Sequence, residues 1–167
     1  MSQNPTIPAG DLTTEVIQNG FRAELQSYAD EEGTPLEDPL APRGDKTPAF
    51  VLTSEPSTNP RYPHIIVEES DDSAAPIDRR QSAFIQHDFA VMITVEARSS
   101  TEKFALKDAV RHFLQAREDA LRDRGFAEPT ISATPADWDS TSSTSSWQAT
   151  VSGLVHTTDD PPQTTDE

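Results

Sequence analysis

The chain has no cysteine, which excludes disulfides, iron–sulfur clusters, thiolate zinc sites and a thiol nucleophile. It also has no apolar run near the ~18–20 residues needed to cross a bilayer, and its start, MSQNPTIPAGD, lacks the basic and apolar regions of a signal peptide. A soluble, intracellular protein is the expectation. Hydrophobic residues reach 34%, against ~45–50% in average globular chains, so the core must be small and confined to a few segments. There is no phosphate-cradling glycine loop and no Gly-x-Ser-x-Gly elbow. The four histidines, His64, His87, His112 and His156, fall in different segments and none forms a metal-spacing pair. The sequence therefore gives no positive support for an enzyme, a catalytic residue, a cofactor or a metal.

What is present in excess is acid. Aspartate and glutamate number 29 against 13 lysines and arginines, for a formal charge of −16. Non-specific binding to nucleic acid phosphates through a basic surface is disfavoured. Only three basic residues are lysines (Lys46, Lys103, Lys107), aspartate outnumbers glutamate and threonine is abundant. That composition resembles proteins of a salt-filled haloarchaeal cytoplasm, where about 3 M salt shortens the Debye length to a few Å and removes the self-repulsion opposing compaction.

At 167 residues the chain suits one domain. Residues 1–11 read as an irregular arm. Asp11 is a good N-cap, and Ile17, Phe21, Leu25 and Tyr28 share one helical face, which predicts a helix over 12–29. Loop 30–48, rich in proline, is expected to project. Short strands follow at Ala49–Ser54 and His64–Ser70, then a projecting loop or hairpin arm at 70–82. Phe89, Val91, Ile93, Val95 and Ala97 alternate with smaller or polar residues and mark the central strand. Ser99 to Glu102 form a capping box in which Ser99 caps the next helix and Glu102 reaches back to it. That helix, with the stripe Leu106, Val110, Phe113, Leu114 and Leu121 broken only by Arg117, is expected over about 100–124, ended by Gly125. A weak strand at Thr130–Thr134, a Ser/Thr-rich turn at 139–146 and a final strand Trp147–Thr157 complete the domain, 12–157. Trp147, Ala149, Val151, Gly153 and Val155 share the inward face of that last strand. Residues 158–167 read as a disordered acidic tail. The expected fold is α+β: a mixed or antiparallel sheet of about four to five strands with two helices packed on one face.

Several residues invite a functional reading. His87-Asp88 sets a carboxylate beside an imidazole, the arrangement that orients a general base, but with no nucleophile nearby the structural reading is preferred. Glu68, Glu69, Asp71 and Asp72 lack the order of a calcium loop and read as solvated surface. Arg79-Arg80, a rare basic pair, is either an anchor on an acidic neighbouring subunit or a solubilising loop pair. Phe84 and Phe104 are further candidates for a subunit or partner interface. Phe104 projects about 160° away from the apolar stripe at 100° per helical residue, and packing at the margin of the core is preferred for it over contact with another chain.

PHIIVEES, then a polar arm, then FAVMITVEARSSTEKFALKDAVRHFLQAREDALRDRGF resembles the tail terminator, or tail-completion, proteins of viruses with long tails. In those proteins a strand ending in small polar residues leads into a long helix with an acidic residue at its capped start and a Gly-aromatic turn at its end; Ser99 to Glu102 and Gly125-Phe126 occupy those places. A last strand with a tryptophan near its start, as at Trp147, is also similar. The resemblance spans about residues 48–157. It implies a homomeric ring of six subunits in the virion, assembled in the host cytoplasm, without active site or membrane contact. Its partners are itself, the tail tube protein whose polymerisation it stops, and a head-completion or connector protein, while DNA passes through the channel without specific binding. With the salt signature, the source implied is a virus of halophilic archaea. The rivals are a head–tail adaptor or head-completion protein of the same neck, and a small-molecule-binding or enzymatic α+β domain of a halophile.

Overall fold

The computed structural model describes residues 6–8, 14–44, 48–54, 56, 61–76, 84–134 and 145–158. Asp11, the turn 139–144 and residues 159–167, and with them the cap and tail expected there, lie outside these residues. In chain order the elements are β1 (Thr6–Pro8), a π-helical segment (Thr14–Arg22) running into α1 (Ala23–Asp30), β2 (Val51–Leu52), β3 (His64–Pro76), β4 (Phe84–Ala97), α2 (Ser100–Ala116), α3 (Glu118–Asp123), β5 (Ala127–Thr134) and β6 (Ser145–Thr158). The strands form one mixed sheet in the order β1-β6-β4-β3-β2, with β5 also paired to β6. The fold is α+β, as expected. The added strand is Thr6–Pro8, in the arm read as irregular: it pairs parallel to β6 at His156–Thr158, on the edge that β5 occupies up to Leu154.

Residues 89–97 form the middle of the sheet because their alternation suits it. Phe89, Val91, Ile93, Val95 and Ala97 are wholly buried. Opposite them stand Val67 and Ile65 of β3 and Val151, Ala149 and Trp147 of β6, so one face of three strands is continuously apolar. The helices cover that face. In the first helix Val16, Gly20, Glu24 and Tyr28, and beside them Ile17, Phe21, Leu25 and Ala29, form two buried rows stepped by four residues. A step of four exceeds the α repeat, and the wider π turn accommodates it. From the other side Leu106, Val110, Phe113 and Leu121 close the same core.

Three boundaries differ from expectation. Of the two readings of 70–82, the hairpin arm holds, and the strand expected to end at Ser70 is longer: β3 runs to Pro76 and β4 starts at Phe84, so only 77–83 join them, and these lie outside the described residues. A polar sequence holds strand there because backbone pairing to β4, itself paired along its length to β6, supplies the ladder without apolar side chains. The register shifts between Glu69 and Asp71, leaving one extra residue as a bulge. Second, the helix after Ser99 is broken at Arg117, whose backbone (φ −112°, ψ 17°) leaves the helical region. Its guanidinium pairs with Glu31 and lies 5.5 Å from the Tyr28 ring centroid, which ties the break to the end of α1. Third, the strand expected at 49–54 is only two residues long.

Loop 30–48 does not project over its described part. Leu36 is fully buried in the core, and Asp38 and Arg43 pair at 2.8 Å with side chains 7% exposed. The same guanidinium donates to the carbonyls of Pro48, Arg61 and Pro63 and lies over Phe50, 5.3 Å from its centroid. A proline-rich segment cannot satisfy its neighbours through a backbone ladder, and one arginine with its fan of donors does so instead.

Candidate interaction surface

The junction between β4 and α2 begins at Ser99, whose backbone is extended and whose side-chain hydroxyl accepts the N–H of Glu102 at 3.2 Å. Glu102 does not complete the box as expected. Its carboxylate reaches one residue further back, accepting the Arg98 N–H at 3.0 Å and clasping the Arg98 guanidinium. A charged donor competes successfully with the Ser99 amide for the same acceptor. The hydrogen bond from Arg98 holds the Glu102 carboxyl below the usual carboxylate range against the opposing effect of partial burial.

α3 ends in a Schellman turn: Gly125 takes φ 100°, its N–H donates to Arg122 and the Phe126 N–H donates to Leu121. The turn aims Phe126 at two neighbours. Its ring meets Phe21 edge-on at 4.7 Å, and it covers Gly153 so closely that a Cβ there would lie 2.4 Å from the ring. Arg124 beside it binds Glu24 at 2.7 Å and the Asn19 carbonyl, joining the far end of the helical pair to the first helix.

Phe104, one turn into α2, is 52% exposed and is the one large hydrophobic side chain left exposed among the described residues. The expectation that it packs at the margin of the core is therefore corrected: at about 160° from the stripe it points past every covering segment described. The ammonium groups of Lys103 and Lys107 stand 4.9 and 5.4 Å from its ring centroid. Arg111 lies exposed one further turn along. Arg43, Arg98, Arg117, Arg122 and Arg124 are each paired with carboxylates of their own chain. Two of the chain's three lysines thus frame the one phenylalanine exposed among the described residues.

A groove of about 530 Å³ runs along the outer side of α1, lined by Arg22, Ala23, Gln26, Ser27, Asp30 and Glu31. Gln26 is held at both ends, donating to Asp30 at 2.8 Å and accepting the Val51 N–H at 3.3 Å. Sequence patterning missed this groove, since it depends on where α1 stands against the loop that follows.

Of the other candidates, Arg79 and Arg80 lie outside the described residues, and Phe84 is placed only by its backbone, opposite Thr158 at the start of β4. His112 is exposed, as expected. Asp88 is exposed, while the His87 side chain is outside the description, as are those of Asp71 and Asp72; Glu69 is exposed and Glu68 half-buried. His64 is buried, stacked on Tyr62, and its Nε2 lies 2.7 Å from Glu96 Oε2 at an angle unlike that of a hydrogen bond. Among the described residues no group of three His, Asp or Glu side chains is placed to hold a metal ion, and no helix is long and apolar enough to cross a membrane. No protein-family model matches the chain, and no curated protein matches it.

Proposed function

We propose that the chain is a tail terminator of a long-tailed virus of halophilic archaea. In this reading six copies form a ring at the head-proximal end of the tail tube, stop tube polymerisation and present the surface to which a head-completion or connector protein docks. The observation that carries the reading is the course of the chain from 89 to 126. A central strand ends in small polar residues, Ser99 caps the helix that follows, and Gly125-Phe126 stops it. These are the places on which the resemblance rests, and each has a structural task here. The long β3–β4 hairpin and the framed Phe104 add support, since both extend what a copy offers to its neighbours. A −16 chain with most described arginines already engaged suits a channel that DNA traverses without being gripped.

Electron microscopy of the purified chain in molar KCl tests the reading. Closed rings with an open centre are expected. Single domains at every concentration would contradict it and favour the small-molecule-binding alternative, for which the α1 groove is the place to look.

A further inference from the structure

We infer that the strand Thr6–Pro8 is exchanged between copies: each lays its β1 against β6 of the adjacent copy, at the edge positions His156–Thr158. The inference rests on the ring reading above and names the contact that builds it.

What fits that edge is given by the fold. β1 pairs with β6 in parallel, Thr6 opposite His156, Ile7 opposite Thr157 and Pro8 opposite Thr158, just past Leu154, where the pairing of β5 ends. The same segment of a second copy brings the same backbone donors and acceptors, so the ladder forms equally well between two copies. Exchange of an identical end strand is accordingly a low-cost route from single chains to an assembly.

Charge favours this contact over others. Residues 1–10 and 140–158 contain no Asp, Glu, Lys or Arg, and they are the two longest stretches of the chain of which this is true. The ladder of β1 on β6 joins one to the other, and the bounding Asp11, Asp139 and Asp159 fall outside it. Two −16 copies repel one another through their carboxylates, and contact between uncharged strands adds nothing to that repulsion. Molar salt, which screens ion pairs between exposed charges, leaves hydrogen bonds between uncharged backbone groups in place.

The tether fits too. Among the described residues β6 is the sheet partner of β1, and only five residues, 9–13, join the arm to Thr14. Short hinges of this kind invite exchange. Six Cα steps reach at most about 20–22 Å, so the accepting edge belongs to the adjacent copy and to no other. Each copy then gives one arm and accepts one, as a heterologous contact that repeats around a ring requires.

The lack of cysteine makes the exchange directly readable. Ile7 and Thr157 stand opposite each other, and neighbouring strands lie about 4.7–4.9 Å apart, within the Cα separation that a disulfide spans. Chains carrying both Ile7→Cys and Thr157→Cys, assembled in about 3 M KCl and oxidised, should run on a denaturing gel as disulfide-linked multimers. Ile7→Cys chains mixed with Thr157→Cys chains before assembly should give a linked pair of twice 18.3 kDa that neither forms alone. A chain lacking residues 1–8 should keep its circular dichroism spectrum, because the described core is built without them. It should sediment as a monomer where the unaltered chain forms rings, with association weakened at least about tenfold, as for loss of an interface anchor. Double-variant rings that oxidise within single chains or not at all, or rings that persist without residues 1–8, overturn the exchange and leave the terminator reading standing. An unaltered chain that is itself monomeric overturns both.

Discussion

At Arg43 all five guanidinium hydrogen bonds stay within the fold, two to Asp38 and three to backbone carbonyls from two separate loops. Removing the cation leaves a buried carboxylate and three carbonyls without their donor, so Arg43→Met should cost about 3–5 kcal/mol. Guanidinium unfolding in molar KCl measures it, and a loss below about 1 kcal/mol, the scale of an exposed pair, would show that the ion pair is incidental. Gly153 is constrained differently, by the Phe126 ring across it. Gly153→Ala should cost about 1–3 kcal/mol through overpacking, and Phe126→Leu in the same chain should return part of that loss, since the two sites are in contact. Neither task is legible in the sequence. Gly153 fell on the inward face by its spacing, but which ring meets it depends on a turn twenty-eight residues earlier in the chain. Nothing in the sequence sets Arg43 apart from any other loop cation. Ser99, whose task is local, was legible; Glu102 was legible only as an acceptor, because its choice between the Ser99 and Arg98 amides turns on where a long side chain lies.

Elements were readable where apolar spacing sets them and were missed where pairing sets them. The face shared by Phe89 to Ala97 and the first-helix stripe needed only periodicity. The outer half of the β3–β4 hairpin and the three residues of β1 have no such pattern and exist as strands because β4 and β6 offer them backbone partners. On the sheet's second face Met92 pairs with Thr150, Thr94 with Gln148 and Ala90 with Ser152; Gln148 and Ser152 are exposed there, while Ala90, Thr94 and the neighbouring Ile66 are buried. At the α2 N-terminus the lowered Glu102 pKa sets a sign. Its contribution to stability is complete above the ordinary glutamate pKa and is lost as pH falls through the depressed folded value. The melting difference between the unaltered chain and Glu102→Gln should therefore be constant above about pH 5 and close as pH drops below about 4. A difference that persists at the acid extreme would mean that Glu102 acts by packing and not by charge.

For the whole molecule, charge dominates. Sixteen net negative charges on an 18.3 kDa chain repel one another unless screened, and the five arginine pairs relieve only part of this. Dialysis from molar to dilute salt should lower the helical circular dichroism signal and the melting temperature together; a chain that melts no earlier in dilute buffer would remove the halophilic premise. Composition made the net charge readable, whereas the exposure of Phe104 was not: it was assigned to the margin of the core because a helix wheel shows the angle of a side chain but not what stands there. The central claim is that copies of this chain close into a ring. Sedimentation equilibrium of the unaltered chain in about 3 M KCl, where its charge is screened, measures that most directly. The account predicts one species at six times 18.3 kDa, unchanged on dilution; a mass of 18.3 kDa across the whole concentration range would contradict it.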